Sequence, residues 1–244
     1  MSKNYLILGA TSGIGLDLAK KVIKKNFVYC LGRNFSDLNK YIKANKIKKN
    51  YKNIKIDLNK KNASNIFKKI NKKLDIIVVC SGTHRHSMIK FFDEKVFDEL
   101  MNVNLINPVK IISKLYSSGR INKNCRIVML SSIQALKSYI TGSLGYAVAK
   151  SGILSAVKAL AVELAGDNIV VNAITPAIVN TPLINKAKHL SSEVLARDKK
   201  KYLLGKKFLT TKEIIDVINF LILTKSLKIT GESIGIDAGY LLTR

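Results

Sequence analysis

Tyr5-Leu6-Ile7-Leu8-Gly9-Ala10-Thr11-Ser12-Gly13-Ile14-Gly15 is an apolar run with the length of a buried strand that opens directly into three glycines. After it, Ile14, Leu18, Val22 and Ile23 recur at helical spacing, so strand, glycine turn and helix follow one another. Glycines placed this way make a tight turn, let backbone approach a pyrophosphate closely, and pack helix against strand. The phosphate charge then sits at the helix N-terminus. The spacing is G-x-x-x-G-x-G and departs from the commoner G-x-G-x-x-G.

Outward from this turn, apolar runs fall at 4–8, 27–32, 52–56, 74–80, 125–131, 168–175 and 233–236. Helical periodicity fills the intervals, and runs that are apolar throughout suit strands covered on both faces. The pattern predicts an α/β protein built on a doubly wound, mostly parallel seven-stranded sheet. With three prolines in 244 residues there is no proline-rich linker, and we read residues 1–244 as a single domain. One long irregular stretch, 182–209, lies between the sixth strand and the last helix.

The formal charge of +26 invites a nucleic-acid reading. It is regional, however: residues 17–73 hold eighteen Lys or Arg against Asp17, Asp37 and Asp57, whereas 143–182 hold Lys150 and Lys158 against Glu163 and Asp167. The basic residues are 36 lysines and only 6 arginines, with few of the aromatic platforms that base stacking uses. Compositional bias on outer helix faces explains the charge, and no specific nucleic-acid partner is expected. Cys30, Cys80 and Cys125 each fall in a strand-like run and read as reduced core thiols, and no metal site is expected. We find no membrane-length stretch and no cleavable leader, which places the chain in the cytoplasm with no membrane partner.

The chemistry concentrates in Ser131-Ser132 and, further on, Gly145-Tyr146-Ala147-Val148-Ala149-Lys150. Positions i and i+4 share a helix face, so the Tyr146 phenol and the Lys150 ammonium point into one space. A nearby cation favours phenolate and is expected to pull the phenol below its ordinary value of about 10.

In their order along the chain, Gly9 to Gly15, Asp57, Asn104, Ser132, Tyr146 with Lys150, Asn172, Pro176, Thr181 and Ile236-Asp237-Ala238-Gly239 resemble the landmarks of the short-chain dehydrogenase/reductase family, over essentially the whole sequence. The resemblance includes 3-oxoacyl-(acyl-carrier-protein) reductase-like members and implies a Rossmann fold. It also implies an enzyme that interconverts a carbonyl and a secondary alcohol by hydride transfer. By resemblance, Tyr146 is the general acid/base, Lys150 tunes it and holds the nicotinamide ribose, and Ser132 orients the substrate oxygen. Asn104, with Asn102 as a rival, matches the asparagine that kinks a helix. Gly9, Thr11, Ser12, Gly13, Ile14 and Gly15 correspond to the cofactor turn. Asp57 and Leu58 correspond to the adenine contacts, and Ser81, Gly82, Pro176, Ile178 and Thr181 complete the cofactor site. The stretch 182–209 corresponds to a mobile substrate lid. The other role such a fold permits is a cofactor-bound regulatory or interaction protein.

At the end of the second strand an acidic residue would hold a ribose 2′-hydroxyl, but this chain has Gly32 followed by Arg33. A guanidinium beside that position suits a 2′-phosphate, so NADP(H) is expected over NAD(H). The chain departs from the family at Val79-Cys80-Ser81-Gly82, where two asparagines are usual, and at Pro176-Ala177, where Pro-Gly is usual. His84, Arg85 and His86 follow the fourth strand, and the lid carries Lys186, Lys188, His189, Arg197 and Lys199 to Lys201, which leaves an anionic substrate open. Lys123 and Arg126 are placed to meet an acidic carrier protein. Small residues along 143–165 (Ala147, Ala149, Gly152, Ala156, Ala159, Ala161) suit a packed interface, and a homotetramer is expected, with a dimer as the other possibility.

Overall fold

The computed structural model describes residues 2–48, 50–185 and 192–243. Strand β1 (Asn4–Leu8) shows why the apolar runs are continuous. Tyr5 and Ile7 enter one core layer while Leu6 and Leu8 enter the other, so both faces of the sheet are covered. The same alternation holds in β4 (Leu74–Val79), where Ile76 and Val78 oppose Ile77 and Val79.

Together with β2 (Phe27–Gly32), β3 (Tyr51–Lys55), β5 (Ile121–Leu130), β6 (Val170–Pro176) and β7 (Ser233–Ile236), these strands form one seven-stranded sheet. Its order is β3-β2-β1-β4-β5-β6-β7, and every pair is parallel. The chain winds outward from β1 to β3 and then restarts on the other side at β4. A crevice therefore opens at the C-terminal ends of β1 and β4, where α/β sheets bind ligands.

Helices α1 (Gly13–Val22) and α2 (Ser36–Ala44) cover one face. On the other lie α3 (Glu94–Met101), α4 (Asn107–Ser117) and α5 (Leu144–Glu163). The first face is completed by α8 (Thr211–Leu223), which follows α6 (Pro182–Asn185) and α7 (Ser192–Lys199). A capping box starts α8: Glu213 N donates to Thr210 Oγ1 at 3.3 Å, and Thr210 N donates to Glu213 Oε2 at 2.7 Å.

Several expectations are corrected here. Between β3 and β4 the crossover is a 3-10 run, Ala63–Lys69, rather than an α-helix. The stretch 182–209 is not irregular throughout, since it contains α6 and α7; its Lys186, Lys188 and His189 lie outside the described residues. A membrane-length segment does exist: α5 has twenty residues and is apolar enough to cross a bilayer by length and composition. In this fold it packs Ile153, Val157 and Ala161 against the sheet.

Candidate active site

The glycine turn is fixed by contact. Gly9 has φ +91°, and a Cβ there would stand 2.7 Å from Ser81 N; a Cβ on Gly15 would stand 2.2 Å from the Gly9 carbonyl oxygen. Backbone thus fills the space that side chains would need, and α1 begins directly against the ends of β1 and β4. Ser12, the N-cap of α1, is exposed and its side chain makes no capping hydrogen bond. The first-turn N–H groups of α1 therefore face the crevice, as an anion-binding helix start does. Thr181 closes the far side, with its methyl 3.3 Å from where a Gly13 Cβ would be.

Ser132 caps the turn that follows β5, its hydroxyl accepting from Gln134 N at 3.2 Å. Tyr146 and Lys150 descend from the first turns of α5 into the same cavity of about 230 Å³. The loop after β4 steadies this helix start: His84 Nε2 and Ser143 Oγ are 3.0 Å apart, and Ser87 N donates to the Gly142 carbonyl at 2.8 Å. The His84 ring meets the Tyr146 ring edge-on at 4.9 Å.

Lys150 is buried at 3% exposure, and its Nζ donates to the Leu130 carbonyl at 2.8 Å while lying 5.6 Å from the centre of the Tyr146 ring. Ser131 Oγ returns a hydrogen bond to the Lys150 carbonyl at 2.7 Å, so β5 and α5 are tied at both ends of this lysine. Burial pushes the ammonium down to about 8, with Cys80 opposing. The phenol of Tyr146 goes up to about 12, again chiefly by burial, although its hydrogen bond with Ser132 acts the other way. This departs from the expected lowering: loss of water around the phenol raises it, with the Ser132 hydrogen bond as the opposing influence.

Asn104 sits in a π turn, Asn102–Ile106, between α3 and α4, and is fully buried. Its Oδ1 accepts from Thr83 N at 3.1 Å, and its Nδ2 donates to the carbonyls of Thr83 at 3.0 Å and Leu100 at 2.8 Å. The residue four beyond Asn104 is Pro108, which has no N–H to give the Asn104 carbonyl in an α-helical register. Asn102, in the same turn, is only half-buried. Gly82 packs on this group, with Asn104 Oδ1 3.2 Å and Lys150 Nζ 3.7 Å from where its Cβ would be.

The remaining predicted residues line the crevice unevenly. Ser81, Gly82, Pro176, Ile178 and Thr181 border the cavity with Ser12, Gly13 and Ile14. Asp57 is exposed beyond β3, its Oδ1 accepting from Asn59 N at 3.0 Å, and the Leu58 carbonyl accepts from buried Asn107 at 2.7 Å. Arg33 is exposed at the end of β2 with no ion-pair partner among the described residues. Beside it, a Cβ on Gly32 would come within 2.4 Å of the Thr11 methyl, which leaves no room for an acidic side chain there.

Two corrections concern contacts. Ile178 and Val179 both border the cavity, and Ile178 gives its N–H to the Tyr202 hydroxyl at 2.9 Å. Arg126 is buried and spends its guanidinium on the carbonyls of Thr224 and Ser226, each at 3.0 Å. It cannot meet a carrier protein; Lys123 is exposed and pairs with Asp167 at 3.7 Å. Cys80 is half-buried, packing on the core while also bordering the cavity, and Cys30 and Cys125 are buried.

The crevice suits a dinucleotide. Glycines leave backbone bare at a helix start, and the Ser81 hydroxyl is buried and unpartnered among the described residues. Sequence reasoning did not find Gln134, Ser138, Asp198 or Tyr240, which also border the cavity; they come from segments separate in sequence and carry no motif.

Residues 9–241 match the family model described as Enoyl-(Acyl carrier protein) reductase. The chain is 29% identical over 247 residues to the 3-oxoacyl-[acyl-carrier-protein] reductase FabG of Buchnera aphidicola subsp. Baizongia pistaciae, covering 97% of this chain and 96% of that one. Among solved structures, a short chain dehydrogenase family protein from Francisella tularensis superposes over the full length of both chains with a TM-score of 0.86 at 26% identity. ElxO with NADP bound covers 100% of both chains (TM-score 0.83, 25% identity). A 4-hydroxyisoleucine dehydrogenase mutant complexed with NADH and succinate covers 99% of this chain and 100% of its own (TM-score 0.87, 25% identity).

Proposed function

The chain belongs to the short-chain dehydrogenase/reductase family of NAD(P)-dependent oxidoreductases, and on that premise we propose that it is an NADP(H)-dependent carbonyl reductase with Tyr146 as its general acid/base. The observation that carries this reading is the convergence of Ser132, Tyr146 and Lys150 on one cavity wall beside the glycine turn. When bound, the nicotinamide supplies a hydride to the carbonyl carbon. Tyr146, protonated at neutral pH because burial raises its phenol, supplies the proton that converts the resulting oxyanion to a hydroxyl. Ser132 orients that oxygen, and Lys150, mostly charged at pH 7, stabilises the phenolate left behind. The run of the reaction backwards uses the same groups in the opposite sense.

Arg33 and the closed Gly32 position support NADP(H) over NAD(H), although solved relatives carry either cofactor. The cavity contacts of Pro182, Leu183, Ile184 and Asp198 support a substrate-lid role for the stretch that carries them. The apolar residues exposed on α5, Leu144, Val148 and Val162, support assembly as a homotetramer. An NADPH-oxidation screen over 3-oxoacyl thioesters, keto-sugars and simple ketones tests the reading. Turnover with formation of the alcohol is expected; NADPH binding without turnover of any member would point instead to the regulatory role.

A further inference from the structure

We propose that the substrate is a ketone that carries, apart from the reacting carbonyl, a hydrogen-bond donor, a hydroxyl or an ammonium. This rests on the reductase reading above. Ser132 and Tyr146 share the lining of one cavity with Gln134, Ser138, Asp198 and Tyr240. Gln134 Oε1 is buried and has no hydrogen-bond donor among the described residues. Such an oxygen costs about 1–3 kcal/mol unless something satisfies it, and a ligand donor in the cavity would do so.

Around Asp198, the donors are already spent on one another. The Tyr240 hydroxyl donates to Asp198 Oδ1 at 2.6 Å, and Lys201 Nζ lies 3.2 Å from the same oxygen. Lys201 Nζ also donates to the Tyr240 hydroxyl at 3.4 Å. Asp198 Oδ2 is left without a partner among the described residues, on a side chain only 17% exposed. The wall therefore presents two acceptors, one of them anionic, and the Lys201 ammonium is paired with Asp198. The same lining includes the apolar side chains of Ile133, Ile140, Leu183 and Ile184. A ligand with an apolar body and a hydrogen-bond donor satisfies these surfaces. An anionic end would face Asp198 and be repelled, which reverses the inclination drawn from the basic residues of the lid.

The test is NADPH oxidation with four ketones of equal length, ending in methyl, hydroxyl, ammonium or carboxylate, beside a 3-oxoacyl thioester. The hydroxyl- or ammonium-ended ketone is expected to exceed the methyl-ended one at least tenfold in kcat/KM, with the carboxylate-ended one lowest. Gln134→Leu should collapse that ratio and Gln134→Glu, which keeps an acceptor, should restore it. Asp198→Asn separates the two donors, because a preference for ammonium needs the charge and a preference for hydroxyl does not. NADPH affinity is measured for each variant to show that it folds. The inference is overturned if the methyl- or carboxylate-ended ketone or the thioester is preferred, or if the ratio survives Gln134→Leu combined with Asp198→Asn. Turnover of none of the five overturns the reductase reading as well, which separates the two failures.

Discussion

Lys150 donates its ammonium to the Leu130 carbonyl at 2.8 Å, so the cation beside Tyr146 is anchored to the strand that leads into Ser132. The folded chain releases this proton near 8, against 10.5 for an ordinary lysine. Between those values the unfolded chain binds more protons, and stability rises with pH.

Replacing the lysine removes that slope. The unfolding free energy of wild type should gain on Lys150→Met by on the order of 2–3 kcal/mol between pH 7.5 and pH 10.5. Above pH 10 the contribution of Tyr146 has the opposite sign, because the folded phenol keeps its proton to about 12 while the unfolded one loses it. Urea denaturation of both proteins across this range measures the difference; parallel curves would show that the lysine is not desolvated.

Gly15→Ala should be severe. The new Cβ would meet the Gly9 carbonyl oxygen at 2.2 Å, backbone against backbone, with no flexible atom to yield. A loss of at least about 3 kcal/mol is expected, or about 6–12 °C in Tm for a chain of this size. Gly166→Ala is the control, since nothing lies within 4 Å of its Cβ, and thermal unfolding should leave it within a few degrees of wild type.

Much of this architecture was legible in the sequence, for a physical reason. Buried parallel strands read as continuous apolar runs, and Tyr5-Leu6-Ile7-Leu8 feeds both core layers at once. The order of Ser132, Tyr146 and Lys150 was equally plain. Burial was not: the upward move of the phenol depends on how α5 lies on the sheet. Arg126 looked like a surface cation because its two acceptors, the carbonyls of Thr224 and Ser226, lie about a hundred residues away. Gln134, Asp198 and Tyr240 meet only through the third dimension, so no spacing announces them.

Arg33→Ala should raise the KM for NADPH about tenfold to a hundredfold, the loss of one charge-assisted contact of about 1.5–3 kcal/mol. The KM for NADH should move less than threefold. Steady-state kinetics with both cofactors decides it: equal effects on the two would show that the guanidinium recognises no 2′-phosphate.

Val148 is 42% exposed on α5 next to the site. Val148→Glu places a charge on that face, and light scattering after gel filtration should show a tetramer reduced to a smaller species. An unchanged mass would move the interface elsewhere.

The most direct test of the account compares Tyr146→Phe with wild type on the best ketone of the screen, measuring NADPH affinity and kcat together. The ring and its packing on His84 persist in the variant, and only the hydroxyl is lost. The account predicts NADPH binding within a few-fold of wild type and a kcat lower by about 10²–10⁴. Turnover by Tyr146→Phe at the wild-type rate would contradict it.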